Sequence, residues 1–169
     1  SIKKLPAKFK KIDVLVNNAG LGLGKERFDV CDVKDWDVMV DTNVKGLLYV
    51  AHAVVQGMVE REDGTVINMG SIASIETYPG GNVYAATKAA VRSISNGMRI
   101  DLVEKHIRVA TIEPGRVHTN FTLGRFKGDR KKHEACYTGY TPLEAEDIAD
   151  AAVYIASRPP HVQIAEMLI

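Results

Sequence analysis

Short apolar runs alternate with longer amphipathic segments along the whole chain of 169 residues. Three β-branched runs, at residues 12–16, 65–69 and 107–112, end in small or polar residues and have the length of buried strands. Helical periodicity covers residues 32–58 and 84–104, which lie between these runs. Because strands and helices alternate, the pattern predicts an α/β fold with a parallel sheet covered on both faces.

The C-terminal part of the pattern adds one helix and one strand. Residues 141–144 place a Thr, a Pro and a Glu at the N-cap, N1 and N3 positions, which predicts a helix that runs to about Ser157. The apolar stretch at residues 162–169 predicts a fourth strand. Residues 119–140 are polar and rich in Gly and Lys, and we interpret them as an irregular segment that serves as a lid.

Composition and charge exclude several classes of protein. With 46% hydrophobic and 25% charged residues, the chain is neither disordered, collagen-like nor a coiled-coil array. Its net charge of +1 indicates no nucleic-acid or membrane partner, and its two cysteines lack metal-ligand spacing. The most apolar stretch, at residues 46–59, is too short to span a bilayer, and no signal peptide is recognised. We therefore expect a cytoplasmic protein with one domain over residues 1–169 and no metal site.

Small and polar residues follow each of the first three predicted strands. Residues 17–20 are Asn-Asn-Ala-Gly, Gly70 and Ser71 follow the second strand, and Pro114 and Gly115 follow the third. Each group alone is typical of an ordinary turn. In open α/β sheets, however, ligands bind beyond the carboxyl ends of the strands, so these residues are the candidates for a ligand site.

A possible acid–base group lies at the start of the second long helix. Tyr84 and Lys88 are four residues apart and so lie on one helical face, where the ammonium favours the phenolate and lowers the phenol's pKa. Ser71 could hydrogen-bond the same substrate oxygen. Asn is a poor helix former, so its presence at position 43 inside the predicted helix indicates that something needs its side-chain amide. Taken singly, the pair could also be a solvated surface pair, and Asn43 a surface residue near a frayed turn.

These residues together resemble the short-chain dehydrogenase/reductase family. Residues 17–20 match its Asn-Asn-Ala-Gly motif, and residues 114–119 resemble its segment that holds the nicotinamide amide. The catalytic tetrad of the family is matched by Asn43, Ser71, Tyr84 and Lys88. The resemblance extends from residue 12 to the end. Residues 80–84, 125–129 and 141–157 are most similar to the NADP-dependent 3-hydroxy acid dehydrogenases, which also oxidise serine and allo-threonine.

The resemblance implies a doubly wound, Rossmann-like sheet and a role for each tetrad residue. Tyr84 would be the acid–base catalyst, and Lys88 would lower its pKa and bind the nicotinamide ribose. Ser71 would orient the substrate oxygen, and Asn43 would hold a water that links Lys88 to solvent. The reaction implied is hydride transfer between NADP, with NAD less favoured, and the hydroxyl or carbonyl of a small 3-hydroxy acid. The cofactor-binding residues implied are Asn18, Ala19, Gly20, Tyr84, Lys88, Pro114, Gly115, Val117 and Thr119.

Substrate and subunit partners are further expectations. A hydroxy acid needs a cation for its carboxylate, and our hypothesis is Arg125 in the lid segment, because a guanidinium matches a carboxylate bidentately. The alternative is that Arg125 is a solvated loop cation. The substrate contacts would then come from Ser71, Tyr84 and Arg125. In the family, the two long helices form a dimer face, so a homodimer or homotetramer is expected.

The chain also departs from the family pattern. Family members begin with a strand, a glycine-rich turn and a helix that receives the pyrophosphate, followed by two βα steps that select NAD or NADP. The first strand here matches the fourth of the family, so we expect an incomplete Rossmann-like domain, without the N-terminal cofactor-binding βαβ units and a C-terminal tail. Ser74 stands where the family more often has Gly. Two alternatives remain: a non-enzymatic remnant or interaction module, and an epimerase or dehydratase on the same fold.

Overall fold

Four parallel strands form one sheet in the computed structural model, which describes Ile2, Leu5, Pro6 and residues 10–169. The strands, in sheet order, are β1 (Val14–Asn17), β2 (Gly64–Met69), β3 (Ile107–Glu113) and β4 (Glu166–Leu168). All three pairings are parallel, with Val16 opposite Ile67 and Ile67 opposite Ala110. The predicted parallel sheet is therefore confirmed, although β4 is much shorter than the apolar stretch at residues 162–169.

The helices lie between these strands and have the following bounds. They are α1 (Val33–Val40), a π-helical turn (Asp41–Gly46), α2 (Leu47–Arg61), α3 (Asn82–Leu102), α4 (Phe121–Arg125), α5 (Arg130–Ala135) and α6 (Ala145–Ala156). Short 3₁₀ turns occupy Phe28–Val30, Ile72–Ser74 and Val103–Lys105. Asp32 caps α1 by accepting a hydrogen bond from the backbone N–H of Lys34, as its position before the helix predicts.

The apolar side chains of the sheet divide between its two faces. Ile67, Ala110 and Ile112 pack on one face against Ile148, Ala151 and Ile155 of α6. Val66, Ile107 and Val109 pack on the other face against Val54 and Met58 of α2, with Met98 and Leu102 of α3 beside them. Because side chains alternate along a strand, a run that is apolar at every position must be covered on both sides. The fold is therefore doubly wound.

The helix predicted from residues 141–144 begins later than expected. Glu144 is the N-cap of α6, and its backbone N–H donates to the carboxylate of Asp147 in a capping box. Leu143 is extended and forms a parallel bridge with Val117. This long-range pairing uses backbone groups that a helix would otherwise need, so the predicted start at residue 141 is wrong by about one turn.

The lid segment at residues 119–140 is more ordered than an irregular loop. It contains α4 and α5, joined by a turn in which Lys127 and Gly128 have φ values of +52° and +91°. The hydroxyl of Thr122 lies 2.6 Å from His133 Nδ1 and so ties the two helices together. Helices of five and six residues are too short for sequence periodicity to reveal, which explains why the segment was predicted as irregular.

The helical run Val33–Arg61 is the longest in the described residues. By length and composition alone it could cross a membrane, because it is longer than the apolar stretch at residues 46–59, which was predicted to be too short. Of its most apolar window, 28% is buried. Core helices of α/β proteins have the same character. Here Met39, Leu47, Ala51 and Met58 are buried inside the protein, while Tyr49 on the outer face is exposed.

Candidate active site

The residues that follow the first three strands meet at one open cavity of about 1320 Å³. The cavity lies at the carboxyl edge of the sheet, where α/β proteins bind ligands. Its lining includes, among the residues expected from the sequence, Asn18, Gly20, Gly70, Ser71, Tyr84, Lys88, Pro114, Gly115, Val117, Thr119 and Arg125. Ala19 and Asn43 are not in the lining. Residues separated by more than a hundred positions in sequence therefore form one site.

Tyr84 lies in the first turn of α3 with its side chain almost fully buried. Its ring packs against Phe121 of the lid, with centroids 5.5 Å apart. Burial raises the pKa of Tyr84 to about 12, although the Ser71 side chain and the charge of Arg125 act to lower it. The direction is opposite to the one expected from Lys88 alone, because desolvation of the phenolate outweighs the favourable contacts.

Lys88 lies one turn after Tyr84 and is only 5% exposed. Its Nζ donates a hydrogen bond of 2.8 Å to the backbone oxygen of Met69, and it lies 6.0 Å from the centroid of the Tyr84 ring. Burial lowers the pKa of Lys88 to about 8, and the charge of Glu113 acts in the opposite direction. The two residues share one helical face, as the sequence spacing predicts, and both are buried, so they are not a solvated surface pair.

Asn43 lies in the π-helical turn between α1 and α2 and is 2% exposed. Its amide nitrogen donates to the backbone oxygen of Leu21 and to the Thr87 hydroxyl, and its Oδ1 accepts from the N–H of Leu21. Both amide hydrogens are thus used by the protein. A Cβ added at Gly20 would lie 3.3 Å from both Asn43 Oδ1 and Lys88 Nζ. Asn43 is therefore a buried support directly behind Gly20, and not a surface residue near a frayed turn.

A chain of buried amides joins the first strand to α3. Asn17 Nδ2 donates to Asn68 Oδ1, and Asn68 Nδ2 donates to the Ser95 hydroxyl, each over 2.8 Å. Ser95 in turn donates to the backbone oxygen of Val91. Asn17 thereby links β1 to β2, while Asn68 and Ser95 are partners that sequence reasoning missed. An Asn inside a run of buried β-branched residues was the available signal for Asn68.

Arg125 is the last residue of α4, and its side chain is buried beside the catalytic candidates. Its guanidinium carbon lies 5.3 Å from the ring centroids of both Tyr78 and Tyr84. Nε donates to the backbone oxygen of Gly24 over 2.8 Å, and Nη1 donates to the Tyr78 hydroxyl. Within residues 10–169 no carboxylate forms an ion pair with Arg125. At 6% exposure it is not a solvated loop cation.

Sequence reasoning missed two further residues of the site, Tyr78 and Glu113. Tyr78 lines the cavity and holds Arg125 through its hydroxyl. A Cβ at Gly81 would lie 2.5 Å from the Tyr78 ring, so position 81 can hold only Gly while the ring stays in place. Glu113 is the last residue of β3 and is 1% exposed. Its only signal in the sequence was a carboxylate at the end of an apolar strand.

The lining of the cavity fits the nicotinamide half of a dinucleotide in its chemistry. Gly20, Gly70 and Gly115 bring backbone to its surface without side chains, and a flat ring could lie against such a surface. The Tyr84 hydroxyl and the Lys88 ammonium, which line it, are suited to ribose hydroxyls. Among the described residues, no group of three or more metal-ligating side chains is found.

Comparisons with known proteins agree with this geometry. The sequence matches the family model of the short chain dehydrogenases over residues 1–129, and the chain belongs to this family. It is 52% identical over 161 residues to an NADP-dependent 3-hydroxy acid dehydrogenase of Salmonella typhi, covering 95% of this chain and 65% of that protein. It is 47% identical over 160 residues to a serine 3-dehydrogenase of Rhizobium radiobacter, covering 95% and 64%.

The fold is also similar to solved structures of the family. The closed form of a serine dehydrogenase complexed with NADP⁺ superimposes with a TM-score of 0.98 at 47% identity, covering 99% of this chain and 68% of that one. A serine dehydrogenase from Escherichia coli gives 0.84 at 42% identity, covering 99% and 67%. The predicted family and Rossmann-like fold are thereby confirmed. The chain spans about 65% of the length of the curated relatives that it matches.

Proposed function

We propose that this chain carries the catalytic part of an NADP-dependent oxidoreductase that acts on a small 3-hydroxy acid such as serine. The observation that carries the proposal is the convergence of Tyr84, Lys88 and Ser71 on one open cavity beside the buried Arg125. A hydroxyl donor, an ammonium and a guanidinium together suit a substrate with a hydroxyl and a carboxylate. The names of the relatives, which specify NADP, 3-hydroxy acids and serine, support the same substrate class.

Proton transfer is assigned to Tyr84. In the direction of oxidation, its phenolate removes the proton of the substrate hydroxyl; in reduction, its phenol returns a proton to the carbonyl oxygen. Ser71 lies beside Tyr84 and orients the same substrate oxygen. Lys88 would hold the ribose of the cofactor. Its own position is maintained by Met69, and Asn43 holds the wall at Gly20.

The nicotinamide cofactor, when bound, supplies or accepts the hydride. We assign it to the edge of the cavity formed by the ends of β1, β2 and β3, with Tyr84 and Lys88 on its ribose side. We infer that the protein prefers NADP over NAD. This inference is supported by the names of the relatives and by the NADP⁺ complex of the similar structure. Pro114, Gly115, Val117 and Thr119 are assigned to the nicotinamide half of the cofactor. Asn18, Ala19 and Gly20 are assigned to its adenosine side.

Arg125 is assigned to the substrate carboxylate. A guanidinium has five N–H donors, and here Gly24, Tyr78 and Gly80 accept from it, Gly80 at the long distance of 3.5 Å. The remaining donors and the positive charge have no anionic partner among residues 10–169. A buried charge without a partner is costly, and a bound carboxylate removes that cost.

Further partners follow from the surface of the long helices. Leu48 and Tyr49 on α2 and Ile100 and Val103 near the end of α3 are exposed apolar residues. Exposed apolar patches of this kind are typical of subunit interfaces. We therefore propose a homodimer or homotetramer. Separately, we propose a cytoplasmic location, which the dehydrogenase relatives support. Sedimentation at micromolar concentration tests the assembly, and a monomer alone would contradict it.

The activity is tested with the full-length protein by following formation of reduced cofactor from NADP⁺ with serine and with 3-hydroxypropionate. We expect stoichiometric NADPH and weaker activity with NAD⁺. Epimerised or dehydrated product without net reduction of NADP⁺ would instead support the alternative chemistry on the same fold. Absence of both binding and turnover would contradict the proposal and favour a non-enzymatic interaction module.

A further inference from the structure

The carboxylate of Glu113 is bonded to the turn that carries Ser71. Its Oε2 accepts hydrogen bonds from the backbone N–H of Ser71 over 2.5 Å and from the Ser74 hydroxyl over 3.0 Å. Oε1 is also buried, and in the described part of the chain it has no hydrogen-bond partner. Two donors thus converge on one carboxylate oxygen of Glu113. This residue is 1% exposed and does not belong to the tetrad.

The turn at residues 69–74 fits closely around this carboxylate. A Cβ added at Gly70 would lie 2.2 Å from Glu113 Oε2, a distance that no side chain tolerates. Backbone hydrogen bonds from Gly70 to Ile112 and from Ile72 to Pro114 dock the turn on the end of β3. The missing side chain at position 70 therefore permits the contact between Glu113 and Ser71.

The same turn is held at its other end by Lys88, which donates to the backbone oxygen of Met69. Glu113 and Lys88 thus hold the same turn at two points, the backbone N–H of Ser71 and the backbone oxygen of Met69. At this position the charge of Glu113 favours the ammonium form of Lys88. The titratable groups that face Glu113 are Lys88, Arg92 and Tyr84 on α3 and Glu166 on β4. Arg92 is itself paired with Glu166 over 2.7 Å.

We propose that Glu113 is a positioning residue for the acid–base group: it anchors the turn that orients the Ser71 hydroxyl and supplies the buried negative charge that faces Lys88 and Tyr84. The inference rests on the proposed function of Tyr84 and Ser71. Ser71 has no regular helix or strand to fix it, since it caps a single 3₁₀ turn. Its hydroxyl accepts a hydrogen bond from the backbone N–H of Ala73 in the same turn, and Glu113 holds that turn at the backbone N–H of Ser71. The position of the hydroxyl therefore depends on the turn that Glu113 anchors.

The charge of Glu113 also acts on both ionisable partners in the same direction. A nearby carboxylate stabilises the ammonium of Lys88 and opposes formation of the Tyr84 phenolate, so it raises the pKa of both groups. Removing the charge lowers both pKa values. A residue with a purely structural role would reduce the rate without moving the pH dependence of the reaction.

Three variants separate the anchor from the charge. Glu113→Gln keeps an oxygen that can accept from Ser71 and Ser74 but removes the charge, and Glu113→Ala removes both. Ser74→Ala is the matched control, because it removes one hydrogen bond to the same oxygen and leaves the charge. The readouts in the full-length protein are kcat, KM and the pH profile of serine oxidation, together with amide hydrogen exchange of peptides that cover residues 69–74.

For Glu113→Ala we expect a loss in kcat on the order of tenfold to a hundredfold with a smaller change in KM, and faster exchange in the turn. For Glu113→Gln we expect the acidic limb of the pH profile to move to lower pH by about half a unit or more. Ser74→Ala should leave that midpoint in place. Unchanged exchange in Glu113→Ala, or a Glu113→Gln profile that coincides with that of the parent, would overturn the inference.

Hydrogen exchange separates failure of this inference from failure of the proposed function. A parent protein without turnover contradicts the proposed function, whereas the exchange of the turn still decides whether Glu113 anchors it. If Glu113→Ala does not fold, the pH profile of Glu113→Gln still tests the charge, with Ser74→Ala as the control that keeps it. Exchange of the turn in Glu113→Gln, where a neutral amide oxygen replaces the carboxylate, then tests the anchor: it should be faster than in the parent, and unchanged exchange would overturn the anchor. A normal profile in an active Glu113→Gln protein refutes the role of the charge.

Discussion

Lys88 donates a hydrogen bond from Nζ to the backbone oxygen of Met69 over 2.8 Å, and so joins helix α3 to the end of strand β2. The bond fixes an ammonium in a place where water is largely excluded. Burial consequently lowers the pKa of Lys88 to about 8, well under its usual value of 10.5. Folding thus makes Lys88 harder to protonate, although the proposed role of Lys88 requires its cationic form.

This shift predicts how Lys88 affects stability as pH changes. Between pH 8 and 10.5 the unfolded chain binds a proton at Lys88 that the folded protein has lost, so stability rises with pH in this window. Relative to Lys88→Met, which has no such proton, the parent should gain on the order of 1–3 kcal/mol as pH rises from 8 to about 10. Chemical unfolding at several pH values measures the difference, and parallel curves for the two proteins would contradict it.

Tyr84→Phe tests the acid–base role. The variant removes one oxygen from a ring that packs against Phe121, so the fold and the cavity wall should be retained. We expect kcat to fall by about 10²–10⁴-fold, while the dissociation constant for NADP⁺ changes little. Tyr49→Phe is the matched control, because Tyr49 is exposed on α2 and does not line the cavity. Comparable activity of Tyr84→Phe and the parent would contradict the assignment.

Arg125→Ala tests recognition of the carboxylate. We expect KM for 3-hydroxypropionate to rise by about tenfold to a hundredfold, because a charge-assisted pair of hydrogen bonds is lost. The neutral analogue 1,3-propanediol, which has a hydroxymethyl group in place of the carboxylate, should be affected far less. Arg130→Ala, which removes an exposed arginine from the same lid, should change neither value. Equal losses on the acid and the diol would refute the role of Arg125.

Gly70→Ala tests the close approach at the end of β2. Its Cβ would meet Glu113 Oε2 at 2.2 Å, so either the turn or the carboxylate must move. We expect a destabilisation of about 1–3 kcal/mol, measured by chemical unfolding. Gly124→Ala is the control, since a Cβ at this position in a helical turn would meet no described atom within 4 Å. That change should be neutral or slightly stabilising, and similar effects of the two substitutions would contradict the steric argument.

The elements that sequence patterns predicted well are those whose local preference and tertiary role agree. Strands β2 and β3 lie within one residue of their predicted bounds, because their β-branched runs are covered on both faces of the sheet. The predicted start of α6 failed because Leu143 is used in a bridge to Val117, a partner that no local pattern reveals. The two lid helices were not predicted for a different reason: each is shorter than two turns, which is too short for a helical pattern to be recognised.

The sequence by itself determined the order of strands and helices, the family, and the membership of most of the cavity, because motif spacing and strand ends are local features. Only the tertiary structure decided that Arg125 is buried against Tyr84, that Glu113 holds the turn of Ser71, and that burial raises the pKa of Tyr84 to about 12. The physical reason is the same in each case. Desolvation and hydrogen bonding depend on which distant segments pack together, and the spacing of residues along the chain does not contain that information.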